Sequence, residues 1–203
     1  MYLNKEKCYL CNQIKRKAMK LVVMTQPVFF VEEDKILTSL FDEGMDCLHL
    51  SKPNSSPVYH ERLLSLLPEE IHRRITVHEH YYLKNEYQLY SIHINDAETP
   101  LPQGYKGRFS RSCAEIERLR EAKKKAEYVL LEQDFEEAAR RGLIDKHVYA
   151  CGGMTLEKIR MAKELGFGGV VICSDLWSRF DIHNQYDYKE LIAHFKKLRQ
   201  AIG

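Results

Sequence analysis

Four short stretches of this chain bring together side chains able to do chemistry. TVHEHYY (residues 76–82) sets His78 beside Glu79, and SIHINDAE (91–98) follows with Asn95, Asp96 and Glu98. Carboxylates offered from two neighbouring segments are how a hard cation such as Mg2+ is held beside substrate phosphates; loop acids that are simply solvated remain the other reading. CLHLSK (47–52) adds His49, Ser51 and Lys52. HVYACGGMTLEKI (147–159) runs from apolar residues through Gly152 and Gly153 into a helical pattern that Thr155 is placed to cap. Glycines at such a point let backbone N–H groups approach an anion, or serve a tight turn needing positive φ. A second apolar run, GGVVICS (168–174), ends in Cys173 and Ser174 and tips the balance towards a phosphate. His93 alternates inside SIHIN and reads as a packed or hydrogen-bonded residue, while His49 fits either role. These stretches hold no complete catalytic triad and no four-ligand metal set.

The elements that must position these residues follow from the apolar pattern. KLVVMT, MDCLHLS, RITVHE, SIHIND, GRFS, AEYVLL, HVYAC and GGVVICS read as about eight strands, with helical patterns between most of them. DKILTSLFDEG (34–44) shows the helical spacing well, with Ile36, Leu37, Leu40 and Phe41 on one face. The count predicts an α/β fold, a single-domain (β/α)8 TIM barrel, whose active site lies at the C-terminal ends of the strands. Residues 1–18 precede the first strand as an N-terminal extension, and residues 19–203 form the barrel; Met19 would also begin a complete one. Ser112 and Glu115 have the spacing of a capping box for SCAEIERLREAKKKA. Between AEYVLL and EQDFEEAARRG almost no loop is left, so either the connection is very tight or a segment is absent.

Charge and cysteine usage exclude several classes. The 31 Lys and Arg are interspersed with 29 Asp and Glu, for a net charge of +2, which is no basis for a nucleic-acid partner. No apolar run approaches the roughly 20 residues that span a bilayer, and the N-terminus lacks a signal peptide's apolar centre, so a cytoplasmic protein is expected. The 6 cysteines read as free thiols, four of them in or beside apolar runs. Cys8 and Cys11 have C-x-x-C spacing without a second pair or a thioredoxin-like context.

Taken in order, seven segments resemble the thiamine phosphate synthase and thiazole tautomerase family. They are KLVVMTQP, GMDCLHLSKP, ITVHEH, SIHINDAE, GRFSRSCAEIE, AEYVLL, and HVYACGGMTLEKI with GFGGVVICS. The resemblance runs from about residue 20 to the C-terminus, and the last pair is its most specific part. It implies a transferase of thiamine biosynthesis that joins a pyrimidine methyl diphosphate to thiazole phosphate and releases pyrophosphate, with Mg2+ as cofactor. By position, Gly152, Gly153, Cys173 and Ser174 would take the thiazole phosphate. His49, Ser51, Lys52 and His78 would face the pyrimidine and diphosphate, and Ser110, Lys52 and His78 would be the catalytic set. Glu79 and Glu98 stand where the family has two metal-binding aspartates. The family's glutamine, arginine and asparagine fall on His49, Ser51 and His78, its second arginine on His80, and its lysine on Pro53, next to Lys52. The loop that carries a threonine and lysine in the family is missing after AEYVLL. The expected partners are small phosphorylated substrates and a second copy of the chain, with no nucleic acid and no membrane. A thiazole tautomerase, or a non-catalytic binder of phosphorylated ligands acting in regulation, is the alternative.

Overall fold

The computed structural model describes residues 19–181 and 187–203. The expected N-terminal extension, and the Cys8–Cys11 pair within it, lie outside the described residues. Eight parallel strands close in sequence order: β1 (Lys20–Met24), β2 (Cys47–Leu50), β3 (Ile75–Val77), β4 (Ser91–Ile94), β5 (Phe109–Cys113), β6 (Val129–Leu131), β7 (Val148–Ala150) and β8 (Gly169–Ile172). β8 returns to β1 with Lys20 opposite Gly169 and Val23 opposite Ile172. The chain is a (β/α)8 barrel, as the alternating pattern predicts.

Period-two alternation sorts each strand into two faces. Leu21 and Val23, Leu48 and Leu50, Ile75 and Val77, and Ile92 and Ile94 point outwards into the layer shared with the helices. Against them lie the stripes of α1 (Glu33–Asp42), with Ile36, Leu37, Leu40 and Phe41, and of the C-terminal helix (Lys189–Ile202), with Leu191, Phe195, Leu198 and Ile202. Each such side chain contributes about 1.5–3 kcal/mol when fully buried. The inward faces differ around the barrel. On one side Val22, Tyr128, Leu130, Cys151 and Val171 form an apolar cluster. On the other, His49, Thr76, His78, Ser91, His93 and Ser110 are buried polar groups. The lumen is thus half apolar and half hydrogen-bonding, and the polar half belongs to β2 through β5.

Two local expectations are corrected. Ser112 is not a helix cap: it lies within β5, and its hydroxyl meets His93 in the lumen at 3.1 Å. The helix after it is short, a 3-10 turn at Ile116–Arg118 followed by Leu119–Lys123, because β5 runs three residues further than GRFS suggests. The connection after β6 is tight: Glu132, Gln133 and Asp134 alone separate the strand from the helix Phe135–Arg140. Asp134 takes the left-handed conformation, φ 56°, to make that turn. Cys47, Cys113, Cys151 and Cys173 are free thiols. No helix among the described residues is long and apolar enough to cross a membrane.

Candidate active site at the strand ends

Gly152 and Gly153 follow β7 with φ of 79° and 59°, so both need the left-handed region. Their surroundings differ. A Cβ on Gly152 would stand 2.8 Å from the carbonyl oxygen of Glu132, so this glycine accommodates the tight turn after β6. A Cβ on Gly153 would meet nothing closer than the Lys158 ammonium at 3.6 Å, and that ammonium donates to the Gly153 carbonyl at 2.9 Å. Gly153 therefore faces space beside a cation, at the start of the ten-residue helix Leu156–Leu165, whose cap position is Thr155 as expected. The Thr155 side chain makes no capping bond to that helix. Replacing Gly152 by alanine is expected to lower the unfolding free energy by about 2–4 kcal/mol, from a left-handed non-glycine residue plus a backbone clash. Urea unfolding checks this, and a loss under 1 kcal/mol would show that Glu132 yields easily.

On the next strand, Cys173 lies 3.7 Å from the Thr25 carbonyl, and Ser174 opens the short helix Ser174–Trp177. Trp177 donates its indole N–H to the Met24 carbonyl at 2.8 Å, and Asp175 is held by His194 of the C-terminal helix at 2.7 Å. The turn after β8, adjacent to that after β7, is thus braced by β1 and the C-terminal helix.

The ends of β2 and β3 form a second group. Glu79 accepts the Lys52 backbone N–H at 3.0 Å and the Ser51 hydroxyl at 3.4 Å, and His60 Nε2 is 3.7 Å away. Burial pushes the Glu79 carboxyl up, but His60 and the Lys52 N–H outweigh it and hold the group below its ordinary value. His80, at φ 52°, bonds the Ser55 carbonyl and packs edge-on to His60.

The Lys52 side chain goes elsewhere. Its ammonium is fully buried beneath Phe29, 4.5 Å from the ring centre, and donates to Glu33 Oε1 at 2.6 Å and the Val28 carbonyl at 2.8 Å. It therefore holds the β1–α1 connection and does not face the barrel mouth. Arg111 points outwards from β5 and donates to the carbonyls of Ala97 and Thr99. The structure does not bring Glu98 to Glu79: Glu98 is exposed and paired with Arg118. Between them in sequence, Asp96 is occupied by the backbone N–H groups of Glu98 and Thr99. As a seat for Mg2+, the half-buried, ionised Glu79 fits, with substrate phosphate and water completing the shell; Glu98 fits only after leaving Arg118.

Inside the lumen, His49, His78 and His93 meet. His49 Nδ1 is 2.9 Å from His78 Nε2, and His49 Nε2 is 2.6 Å from the Tyr128 hydroxyl. His93 places Nδ1 on Ser110 at 2.8 Å and Nε2 on Ser112 at 3.1 Å. Burial lowers all three imidazoles, His78 to about 4 and the other two well below their ordinary value, so the rings are neutral at pH 7. His93 is thus a hydrogen-bonded lumen residue, as its alternation suggests, and Ser110 is its partner rather than an exposed group. Sequence reading missed Tyr128 and Glu33. The inward parity of AEYVLL was the available signal for Tyr128; Glu33 offered none, being one of many acids at a helix start. A cavity of about 380 Å3 opens at the opposite, N-terminal end of the barrel, among Lys20, Asp46, Arg74, Tyr90 and Tyr149. It is remote from these strand ends.

Among solved structures, the chain is similar to the thiamine phosphate pyrophosphorylase of Bacteroides thetaiotaomicron. Identity is 44%, covering 90% of this chain and 97% of that one, with a TM-score of 0.85. The thiamine phosphate pyrophosphorylase of Pyrococcus furiosus shares the fold at 15% identity, 92% and 96% coverage and a TM-score of 0.72. A 3-hexulose-6-phosphate synthase does so at 14% identity, 91% and 100% coverage and a TM-score of 0.61. No family model matches the chain, and no curated protein does.

Proposed function

Because the chain belongs to the thiamine phosphate synthase (thiamine phosphate pyrophosphorylase) family, we propose that it joins a pyrimidine methyl diphosphate to thiazole phosphate with release of pyrophosphate. The observation that carries this reading is the open turn at Gly153. It sits beside Lys158 at a helix start, next to the braced turn at Ser174 on the neighbouring strand. Backbone N–H groups, the helix dipole and one lysine converge there as a phosphate needs. Cys173 and Ser174 complete that side of the site.

The diphosphate would lie across the mouth towards Glu79. Mg2+ held by Glu79, with Glu98 as a second ligand once released from Arg118, would offset charge on the departing pyrophosphate. Ser51 and the Lys52 N–H orient the Glu79 carboxylate. The neutral rings of His49 and His78, hydrogen-bonded to each other, back the pyrimidine side without adding charge. The apolar half of the lumen, with Leu130 and Val171, keeps water from a cationic intermediate.

One observation favours a second reading, tautomerisation or binding without turnover. The cations available to a leaving pyrophosphate are few: Lys52 is tied to Glu33, Arg111 clasps the loop after β4, and the turn after β6 is three residues long. Purified protein given both substrates and Mg2+ decides the matter. Release of pyrophosphate, lowered about 100-fold by Glu79→Gln, is expected for the synthase. No release, with turnover of the thiazole carboxylate tautomer in chelator, would replace it with the tautomerase; saturable binding alone would leave the regulator.

A further inference from the structure

We propose that His49, His78 and His93 bind a borderline divalent ion of the zinc class inside the barrel, at a site separate from the Glu79 carboxylate. Each ring offers one nitrogen, and the three lie within 4.8 Å of one another. Among the described residues this is the one cluster of three such donors. The shortest pair, hydrogen-bonded at 2.9 Å, must open to the roughly 3.4 Å that tetrahedral coordination with bonds of about 2.1 Å requires, the ion taking the place of the shared proton. The third ring, His93, is stacked on His78 with ring centres 4.2 Å apart, and turns to bring its nitrogen to the same point.

The outer partners are those of a metal-bound imidazole, whose free nitrogen is held by a hydrogen bond that sets its tautomer. With the ion on His49 Nδ1 and His78 Nε2, the His49 proton moves to Nε2, facing the Tyr128 oxygen 2.6 Å away. The Tyr128 hydroxyl can then turn to Thr76 or Ser110, and His78 keeps its other nitrogen on Asn95. His93 gives one nitrogen to the ion and keeps a serine on the other. Three imidazoles in a buried pocket suit Zn2+, Co2+, Ni2+ or Cu2+, and do not suit Mg2+, which requires oxygen ligands. The site rests on the three rings alone and stands whether or not the synthase reaction does.

The test is cobalt titration of the full chain, stripped of metal by chelation, at pH 7.5. One Co2+ per chain is expected, with the visible absorption bands of a tetrahedral ion, displaced by Zn2+. His49→Gln and His78→Asn should each weaken binding by at least about 100-fold, and Tyr128→Phe, which leaves all three rings, by about 10-fold. Circular dichroism confirms the fold of each variant. Cys8→Ser/Cys11→Ser and Glu79→Gln should bind as wild type. Absence of the bands in wild type, their survival in both histidine variants, or their loss with the cysteines would each overturn the site.

Discussion

Lys52→Met is expected to lower the unfolding free energy by about 3–5 kcal/mol at pH 8, the usual result of leaving one member of a buried ion pair alone. Lys52 and Glu33 are both essentially inaccessible, and the 2.6 Å contact between them is enclosed by Phe29 and Phe30. Glu33 Oε2 has no hydrogen-bond partner. Burial pushes the Glu33 carboxyl up from 4.5 to about 7 even with the lysine beside it, and without the lysine it rises further. A carboxyl raised in the fold is a penalty that is full above its folded pKa and vanishes as pH falls towards its unfolded one. Lys52→Met should therefore be less stable than Lys52→Met/Glu33→Leu by roughly 3 kcal/mol at pH 8 and by under about 1 kcal/mol at pH 5. Urea unfolding of both variants at the two pH values measures this. An equal gap at both would mean that the Glu33 carboxylate is not the source of the loss.

Gly153→Asp should leave the fold near wild-type stability and weaken binding of thiazole phosphate by about 100-fold. Aspartate tolerates the left-handed conformation that Gly153 adopts, φ 59°, better than most residues. The site has room for its side chain, so the substitution strains little. Its charge would both repel a phosphate and neutralise the Lys158 ammonium, 3.6 Å from the new Cβ. Gly153→Asn, of the same shape without the charge, should retain most of the affinity. Calorimetric titration of the three proteins checks the ordering. Equal affinity in all three would remove Gly153 from the site, whereas equal loss in both variants would point to space rather than charge. The contrast with Gly152→Ala is useful, since adjacent glycines should fail in different ways, one in stability and one in binding.

The barrel was legible because its signal is local and repeated. Alternating residues in MDCLHLS, SIHIND and GGVVICS, with helical stripes between them, admit few arrangements that bury every apolar face. The same alternation marks His93 as a packed or hydrogen-bonded residue, whereas it leaves His49 open until its contacts with His78 and Tyr128 place it in the lumen. The Ser112–Glu115 capping box misled because a serine two residues beyond Ser110 can continue the strand inwards as readily as start a helix. Tertiary packing chose the strand, where His93 offers Ser112 a buried partner.

By itself, then, the sequence determined the order of the elements, the faces of the strands, and two glycines after β7 beside a second small-residue turn after β8. These depend on periodicity and on backbone conformations that few residue types allow. Tertiary structure alone decided which charge meets which. Lys52 was read as facing substrate and instead reaches Glu33, because a long side chain just past a strand end can turn to either side, and the apolar enclosure under Phe29 holds its stem. Gly152 was separated from Gly153 only by the Glu132 carbonyl, which comes from the turn after β6. The three imidazoles became one cluster because barrel closure places three neighbouring strands around a common axis, a relation that spacing along the chain does not carry.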